Sequence, residues 1–310
     1  MSVGFGAGLD ATPDDLPVTT PEGGEAYQGA SIWRMTLAVF MENKLAIIGL
    51  GLIVFFVLFS FVGPLLYHTQ QAFTNPNIKD QGPSLAHLLG TDDTGFDNLG
   101  RLMLGGQTSL EVGLAAAILG VCIGVIWGAA AGLAGGLIDA VMMRIVDSLL
   151  AIPFLLLLIL LGTIFSVSVP EIIIAIAFVS WLGPARLVRG ETLTLRTREF
   201  VQAVRVMGGS QRRVLLRHII PNSIGVIVVN VTFQVADAIV AVATLSFLGF
   251  GIAPPATNWG LQLSNGIAYV YAGYWWLIYP AGICIVLIVM AFNFVGDALR
   301  DALEVRLQRR

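Results

Sequence analysis

The sequence predicts an all-α integral membrane protein with six transmembrane helices and both termini in the cytoplasm. Three observations predict it. Of the 310 residues, 56% are hydrophobic and only 12% are charged, six apolar segments follow one another, and basic residues concentrate in alternate connections. A soluble domain of this size carries about 25% charged residues. Half that share leaves too little polar surface for a fold in water, so lipid is the expected solvent.

The six apolar segments are expected to be helices, because none shows the period-two alternation of a membrane β-strand. At 1.5 Å per residue, about 20 residues cross the hydrocarbon core. The fourth segment is short, and Arg186 and Arg189 beyond its end are expected to snorkel to the interface. The segments are Leu45–Leu66, Val112–Ala134, Ser148–Pro170, Ile172–Ala185, Ile224–Phe250 and Trp276–Gly296.

The distribution of basic residues predicts the orientation. Six crossings with cytoplasmic termini place 15 of the 17 lysines and arginines on the inner side, as the positive-inside rule requires. Only Lys79 and Arg101 then lie in outer connections. The connection between the fourth and fifth segments holds eight of the inner ones: Arg186, Arg189, Arg196, Arg198, Arg205, Arg212, Arg213 and Arg217.

These segments divide the chain into five parts. Residues 1–31 are rich in proline, glycine and acids, lack basic residues, and are expected to be a disordered cytoplasmic tail. Residues 32–67 hold the first helix, and 68–109 form an extracytoplasmic loop. A core of five helices spans 110–296 and includes a cytoplasmic loop, 186–222. Residues 297–310 are a cytoplasmic C-terminal tail.

No residue pattern predicts a catalytic, cofactor or metal site in this chain. A P-loop needs Gly-Lys-Ser/Thr, and the chain's two lysines, Lys44 and Lys79, follow Asn43 and Ile78. Hydrolysis of ATP by that route is therefore excluded. Cys122 and Cys284 lie in apolar runs and are expected to be buried, and the three histidines share no ligand spacing with them.

The cytoplasmic loop predicts a helix, a glycine turn and a second helix. Apolar residues recur at helical spacing, Gly208 and Gly209 interrupt them, and a second piece, Gln211–Ile220, is expected to end before Pro221. Such an element is either an amphipathic helix facing lipid or a docking element for a cytoplasmic partner. The apolar residues are Phe200, Ala203, Val204 and Met207.

Two further patterns lie in the helices. Span two carries a glycine every fourth residue, which predicts close helix packing, with a sliding surface as the alternative. These glycines are Gly120, Gly124, Gly128 and Gly132. Asp139, Arg144 and Asp147 flank the third segment, and we expect them to be end-of-helix charges and partners in ion pairs between subunits.

The same loop carries a resemblance to a known family. Gln202-Ala203-Val204, Gly208 and Ile220-Pro221 resemble, with the expected spacing, the Glu-Ala-Ala, Gly, Leu-Pro signature of bacterial ATP-binding-cassette importer permeases. Further matches extend over roughly residues 33–306 and identify the C-type permeases of dipeptide, oligopeptide and nickel importers. They include Leu89-Gly90-Thr91-Asp92, Arg186-Leu187-Val188-Arg189-Gly190, Leu245-Ser246-Phe247-Leu248-Gly249 and Gly296-Asp297-Ala298-Leu299-Arg300-Asp301.

The resemblance implies a type I importer permease fold and a non-catalytic role. It implies contact with lipid, no nucleic acid, and three kinds of protein partner: a homologous B-type permease, two cytoplasmic ATPase subunits and an extracytoplasmic solute-binding protein. The loop would be the helix that couples to the ATPase. The residues assigned to this coupling are Glu199, Phe200, Gln202, Ala203, Met207, Gly208, Gly209, Arg212, Arg213 and Pro221.

Asn230, Gln234 and Asp237 recur at i, i+4 and i+7 on one face of the fifth span. A charge at mid-bilayer costs about 2.5–3.5 kcal/mol on insertion scales, so such a carboxylate is expected to face a cavity or a partner. We interpret the stripe as part of a solute path between two permeases. An interhelical contact that only fixes packing is the alternative.

Other functions remain open at this stage. The cargo is expected to be di- or oligopeptides, with nickel, haem or another small solute as alternatives. An ion-coupled transporter using Asp237 would work without an ATPase and would have helices broken at mid-span. A scaffold or receptor without transport would not need an acid inside the membrane. The loop signature favours the importer.

Overall fold

The computed structural model describes residues 40–69, 71, 73–164 and 168–308, with side chains up to Leu303. The predicted disordered tail, 1–31, lies outside the described residues. The described chain is almost entirely helical. Its principal helices are α1 (Lys44–Phe61), α2 (Asn98–Ala134), α3 (Gly136–Leu150), α4 (Phe154–Ile164), α5 (Val169–Ser180), α6 (Leu182–Leu195), α7 (Glu199–Val206), α8 (Gln211–Phe247), α9 (Trp259–Gly266) and α10 (Tyr279–Gln308).

Four helices are each long and apolar enough to cross a membrane: α1, α2, α8 and α10 with the short turn before it. Two bent pairs add one crossing each if a pair counts as a single span. The axes of α3 and α4 differ by 86°, and those of α5 and α6 by 44°. The described residues therefore hold four to six spans, and the predicted six is the upper figure.

The third predicted segment, Ser148–Pro170, contains a corner and is not one continuous helix. Helix α3 ends at Leu150 and α4 begins at Phe154 at a steep angle. Pro153 explains the corner, because its nitrogen carries no hydrogen to continue the backbone ladder and its ring disfavours helical geometry at the residue before it. A long apolar run predicts how many residues can lie in lipid, but it does not predict the direction of the helix axis.

The second helical piece of loop 186–222 does not end before Pro221, so the prediction for Gln211–Ile220 is wrong. Helix α8 runs through the proline from Gln211 to Phe247. Leu215–Ile219 forms a π-helical turn, in which the Ile220 N–H donates to the Leu215 carbonyl five residues back. Wider turns of this kind accommodate a residue without an N–H donor, so the proline does not break the helix.

Helix α2 lies at the centre of the packing and contacts α1, α5, α6 and α8. One apolar cluster joins α2, α4, α5 and α8 through fully buried side chains such as Leu158 and Ile176. A second joins α1, α2, α8, α9 and α10 around Trp259, whose indole N–H donates to the Leu102 carbonyl at 2.9 Å. Both clusters include residues of α8, so this helix is packed on two sides.

The connection between α1 and α2 is organised by Asp97, which is 2% exposed. Its Oδ1 accepts a hydrogen bond from the Gly100 N–H at 2.9 Å and caps α2, so this helix begins well before the predicted Val112. Its Oδ2 accepts from the Tyr67 hydroxyl at 2.9 Å and lies 2.8 Å from Nδ1 of His87. Burial, together with the hydrogen bond to Asp97, raises the pKa of Tyr67 to about 12.

Candidate translocation site and coupling surface

A cavity of about 820 Å³ opens beside the corner between α3 and α4. Its walls come from three places: the corner itself (residues 149–155), the α5–α6 bend, and one face of α8. Most of the lining is apolar. Cavities of about 300–1,000 Å³ are the range in which proteins hold small ligands. The corner that the sequence did not predict therefore creates a concave surface of the size that holds a small ligand.

The polar stripe predicted in the fifth span lies on the α8 wall of this cavity. Asn230, Gln234 and Asp237 all line it, and Asp237 is exposed to it. Among the described lining residues, Asp237 carries the only formal charge. The stripe is thus brought together with the α3–α4 corner, which lies about 80 residues earlier in the chain.

The three side chains of the stripe differ in whether their polar groups have hydrogen-bond partners. Gln234 is 8% exposed and its Nε2 donates to the Ser180 carbonyl, where α5 bends into α6. The Oδ1 atom of Asn230 is buried and has no hydrogen-bond partner among the described atoms. Asp237 has no ion-pair or hydrogen-bond partner in the described part of the chain. Gln234 therefore fixes packing, whereas Asn230 and Asp237 keep acceptor oxygens free.

On the other side of α6, four glycines of α2 bring two backbones together. A Cβ atom added at Gly128 would lie 2.2 Å from the carbonyl oxygen of Ala185, and one at Gly124 would lie 2.7 Å from that of Trp181. No side chain fits at such distances. At the other two glycines of the row, the nearest atoms belong to side chains: the Ser180 hydroxyl at Gly120, and the Thr192 side chain at 2.9 Å from a Cβ added at Gly132. This geometry fits the interpretation that the glycines of α2 serve close helix packing.

Arginines of α6 hold the junction of α2 and α3. Arg189 makes a bidentate ion pair with Asp139, with Nε–Oδ1 and Nη2–Oδ2 distances of 2.6 and 2.7 Å. Arg186 pairs with Asp147 one helix turn away. Both acids were expected to pair between subunits, whereas α6 supplies a partner for each of them within the chain. Arg144 stays exposed.

A third arginine extends this junction towards the loop. Nη1 of Arg196 donates to the Gly132 carbonyl at 2.9 Å, at the last turn of α2. Gly135 and Gly136 follow with φ angles of +68° and +56°, a left-handed conformation that glycine adopts without strain. The tight turn from α2 into α3 is therefore pinned to α6 from both sides.

Helix α7 has one buried face and one exposed apolar face. Val201 is 0% exposed and packs with Leu133 of α2 and with Val214 and Ile219 of α8. The opposite side presents Val206, which is 88% exposed, together with Phe200 and Met207. Predicted coupling residues Glu199, Gln202, Ala203, Arg212 and Arg213 are also exposed.

The predicted glycine turn joins α7 to α8. Gly208 has a φ of +77°, and a Cβ at Gly209 would lie 2.7 Å from the Val204 carbonyl, whose oxygen accepts the Gly209 N–H. Ser210 caps α8 by accepting from the Arg213 N–H at 3.3 Å. Gln202, which replaces the family's usual Glu, donates to the Thr197 carbonyl at 3.1 Å. These contacts hold α7 in one orientation between α6 and α8.

Sequence reasoning missed several residues of these surfaces. Val206 lies outside the apolar spacing of the loop, although it is the most exposed apolar residue of α7. Pro153, which lies within an apolar run, is the sequence signal for the corner. Cys284 is buried as expected, whereas Cys122 is exposed, so the prediction for Cys122 is wrong.

Comparison with known proteins agrees with this geometry. Residues 120–309 match the family described as "Binding-protein-dependent transport system inner membrane component". Residues 31–83 match the N-terminal transmembrane domain of oligopeptide transport permease C. The chain belongs to this family of transport permeases. The first match alone covers more than half of the chain, and the predicted resemblance to C-type permeases is confirmed.

Three relatives show how far the similarity extends. The chain is 43% identical to the oligopeptide transport system permease protein OppC of Salmonella typhimurium, over 89% of this chain and 92% of the relative. It is 41% identical to OppC of Bacillus subtilis, covering 90% and 91%. It is 38% identical to the dipeptide transport system permease protein DppC of Alkalihalophilus pseudofirmus, covering 94% and 97%. The similarity therefore spans the permease from α1 to α10.

Membership of the family also bears on the alternatives. The α3–α4 corner near Asp237 is a broken helix, the feature expected of an ion-coupled transporter. Family membership nevertheless favours an inner-membrane permease that works with a binding protein. A broken helix beside an acid is thus compatible with a permease, and it does not by itself distinguish the two classes of transporter.

Proposed function

We propose that the chain forms one transmembrane half of the translocation pathway of an ATP-binding-cassette importer for dipeptides and oligopeptides. It has six spans with both termini in the cytoplasm. A homologous B-type permease supplies the other half, two ATPase subunits bind below, and a solute-binding protein delivers cargo from outside. The family and the names of the relatives support these partners and this cargo. The chain itself hydrolyses nothing.

The observation that carries the proposal is the exposed apolar face of α7. Val206, Met207 and Phe200 are 88%, 77% and 42% exposed in the one loop where basic residues accumulate. A helix that only lay against lipid would need no rigid bracing. This helix is fixed by its buried Val201 and by a tight glycine turn. Apolar anchors surrounded by arginines are the composition of a protein interface.

The position of α7 explains how a push on it reaches the cavity. Helix α7 lies between α6 and α8 in the chain, and both of these helices line the cavity. Arg189 and Arg186 connect α6 to α3, whose last residues form the cavity's corner. When the ATPase subunits close on nucleotide, α7 moves with them. Three walls of the cavity are then displaced through helices that are already in contact.

The experiment tests the coupling face directly. The chain, its partner permease, the ATPase subunits and the binding protein are reconstituted in proteoliposomes, and peptide uptake and ATP hydrolysis are measured together. Val206→Glu places a charge where the interface has to exclude water, so it is expected to lower uptake and peptide-stimulated ATP hydrolysis at least about tenfold. Binding of the ATPase subunits to the membrane complex is measured alongside.

Thr194→Glu is the matched control, because it adds the same charge to an exposed position of the same loop, outside α7. It is expected to leave uptake within about twofold of the wild type, as most exposed substitutions do. If Val206→Glu leaves uptake and ATP hydrolysis linked at wild-type rates, α7 is not the coupling element and the proposal fails. Uptake driven by an ion gradient without ATP would contradict it as well.

A further inference from the structure

The cavity has a chemical character that suits one end of a peptide. Its described lining is apolar at the α3–α4 corner and at the α5–α6 bend, and its polar groups concentrate on α8. The only formal charge among the described lining residues is the carboxylate of Asp237. An unpaired negative charge in a mostly apolar cavity attracts a cation and excludes an anion.

The rest of the stripe adds acceptors at intervals along the same wall. Asn230 lies seven residues from Asp237, which is about 10 Å along the helix axis. Its Oδ1 atom is buried and without a partner among the described atoms. An unsatisfied buried acceptor is costly. Because Asn230 itself lines the cavity, a rotation of its carboxamide about the last side-chain torsion brings this oxygen to a donor of the occupant. An extended peptide advances about 3.3 Å per residue and presents N–H donors over that distance.

We propose that the carboxylate of Asp237 receives the α-ammonium group of the transported peptide, while the carboxamide of Asn230 accepts a hydrogen bond from its backbone. This inference rests on the proposed peptide-importer function. The two contacts use groups that every peptide has, and the remaining lining is apolar and makes no demand on side-chain identity. The site therefore recognises the free amino end of a peptide and not its sequence.

The test measures occupancy of the cavity without relying on delivery by a binding protein. The assembled complex carries Val240→Cys, at a lining position that is 43% exposed, with Cys122 and Cys284 replaced by alanine. A maleimide labels the new cysteine, and labelling of this chain is followed by mass. Two probes compete: trialanine, and propionyl-dialanine, which has hydrogen in place of the α-amino group.

Trialanine is expected to slow labelling at about a tenfold lower concentration than propionyl-dialanine, since the two molecules differ only in the ammonium group. Asp237→Asn keeps the size of the side chain and removes its charge, so it is expected to abolish this difference. Asp301→Asn removes an exposed carboxylate outside the cavity and is expected to preserve the difference.

Four results would overturn the inference. They are equal protection by both peptides with Asp237 present, a difference that survives Asp237→Asn, a Val240→Cys side chain that neither peptide protects, and a Val240→Cys side chain that no maleimide reaches. Peptide uptake by the same complexes separates this failure from failure of the proposed function. If the wild-type complex imports trialanine while the labelling does not distinguish the two peptides, the importer function is supported and the ammonium site is contradicted. If no peptide is imported with ATP, the proposed function itself falls.

Discussion

Helix α6 has two sides of opposite character. Towards α2 it meets a row of glycines, and its backbone lies so close that a Cβ at Gly128 would fall 2.2 Å from the Ala185 carbonyl. Towards the α3–α4 corner it borders a cavity of about 820 Å³. One side has no spare volume and the other has room for a ligand. Helix α6 therefore forms a rigid pair with α2 on one side and a wall of the cavity, whose shape can change, on the other.

This difference indicates where movement is possible. Close-packed backbones without intervening side chains do not slide without losing many contacts at once. The cavity, by contrast, is bounded by a helix corner and by helix faces that are already apart. A displacement of α7 is expected to move α2 and α6 together and to change the distance between the corner and α8. If α2 and α6 instead slide past each other, the distance between these two helices is expected to change and the distance between the corner and α8 is not.

The largest expected effect comes from filling the tight side. Gly128→Leu places a branched side chain against the Ala185 backbone, where no rotamer avoids the carbonyl oxygen. Overpacking of cores costs about 1–3 kcal/mol and occasionally more, and a backbone clash belongs at the upper end. We expect loss of folded protein from the membrane, or a large fall of the melting temperature in detergent.

The control for this prediction is Gly51→Leu in α1, because a Cβ at Gly51 meets nothing within 4 Å. It makes the same chemical change on an exposed helix face and is expected to leave the amount of folded protein unchanged. Folded Gly128→Leu protein with wild-type stability would show that the α2–α6 contact is loose and would remove the rigid side of the comparison.

A smaller effect is expected at the junction that ties α3 to α6. Asp139 is 8% exposed, so Arg189→Ala leaves a carboxylate nearly buried without its bidentate partner, at an expected cost of about 1–3 kcal/mol. Arg186→Ala breaks a pair whose side chains are 52% and 44% exposed and is expected to cost less than about 1 kcal/mol. Thermal unfolding of both variants in detergent measures the two effects.

A double variant sharpens this prediction. Asp139→Asn combined with Arg189→Ala removes the stranded charge as well as its partner, so it is expected to recover part of the stability that Arg189→Ala loses. If the two single substitutions simply add, the contact between Arg189 and Asp139 does not hold the junction together.

The apolar spans could be predicted from the sequence because hydropathy and charge are properties of consecutive residues. Packing by the glycines of α2 also follows from spacing, since every fourth residue returns to one helix face. The same reasoning put Asn230, Gln234 and Asp237 on one face of α8. What that face meets depends on residues far away in the chain, and spacing carries no information about them.

The errors have a common physical origin. Pro153 bends an apolar segment and Pro221 does not, because the π-helical turn before Pro221 removes the need for its N–H. Asp139 and Asp147 found partners 50 and 39 residues later in sequence, which only the folded chain brings together. Local pattern thus predicts helices and their faces, whereas direction and partners are decided by tertiary packing.

Spin-label distances in the assembled complex test the central claim most directly, namely that α2 and α6 move as one body while the cavity changes. One pair of labels is placed on exposed residues of α2 and α6, at Ile126 and Leu187, and a second pair on two cavity walls, at Leu155 and Val240. Between nucleotide-free and ATP-bound states, the first distance is expected to change by less than about 1 Å and the second by more than about 3 Å. A shift between α2 and α6 with no change across the cavity would contradict the account.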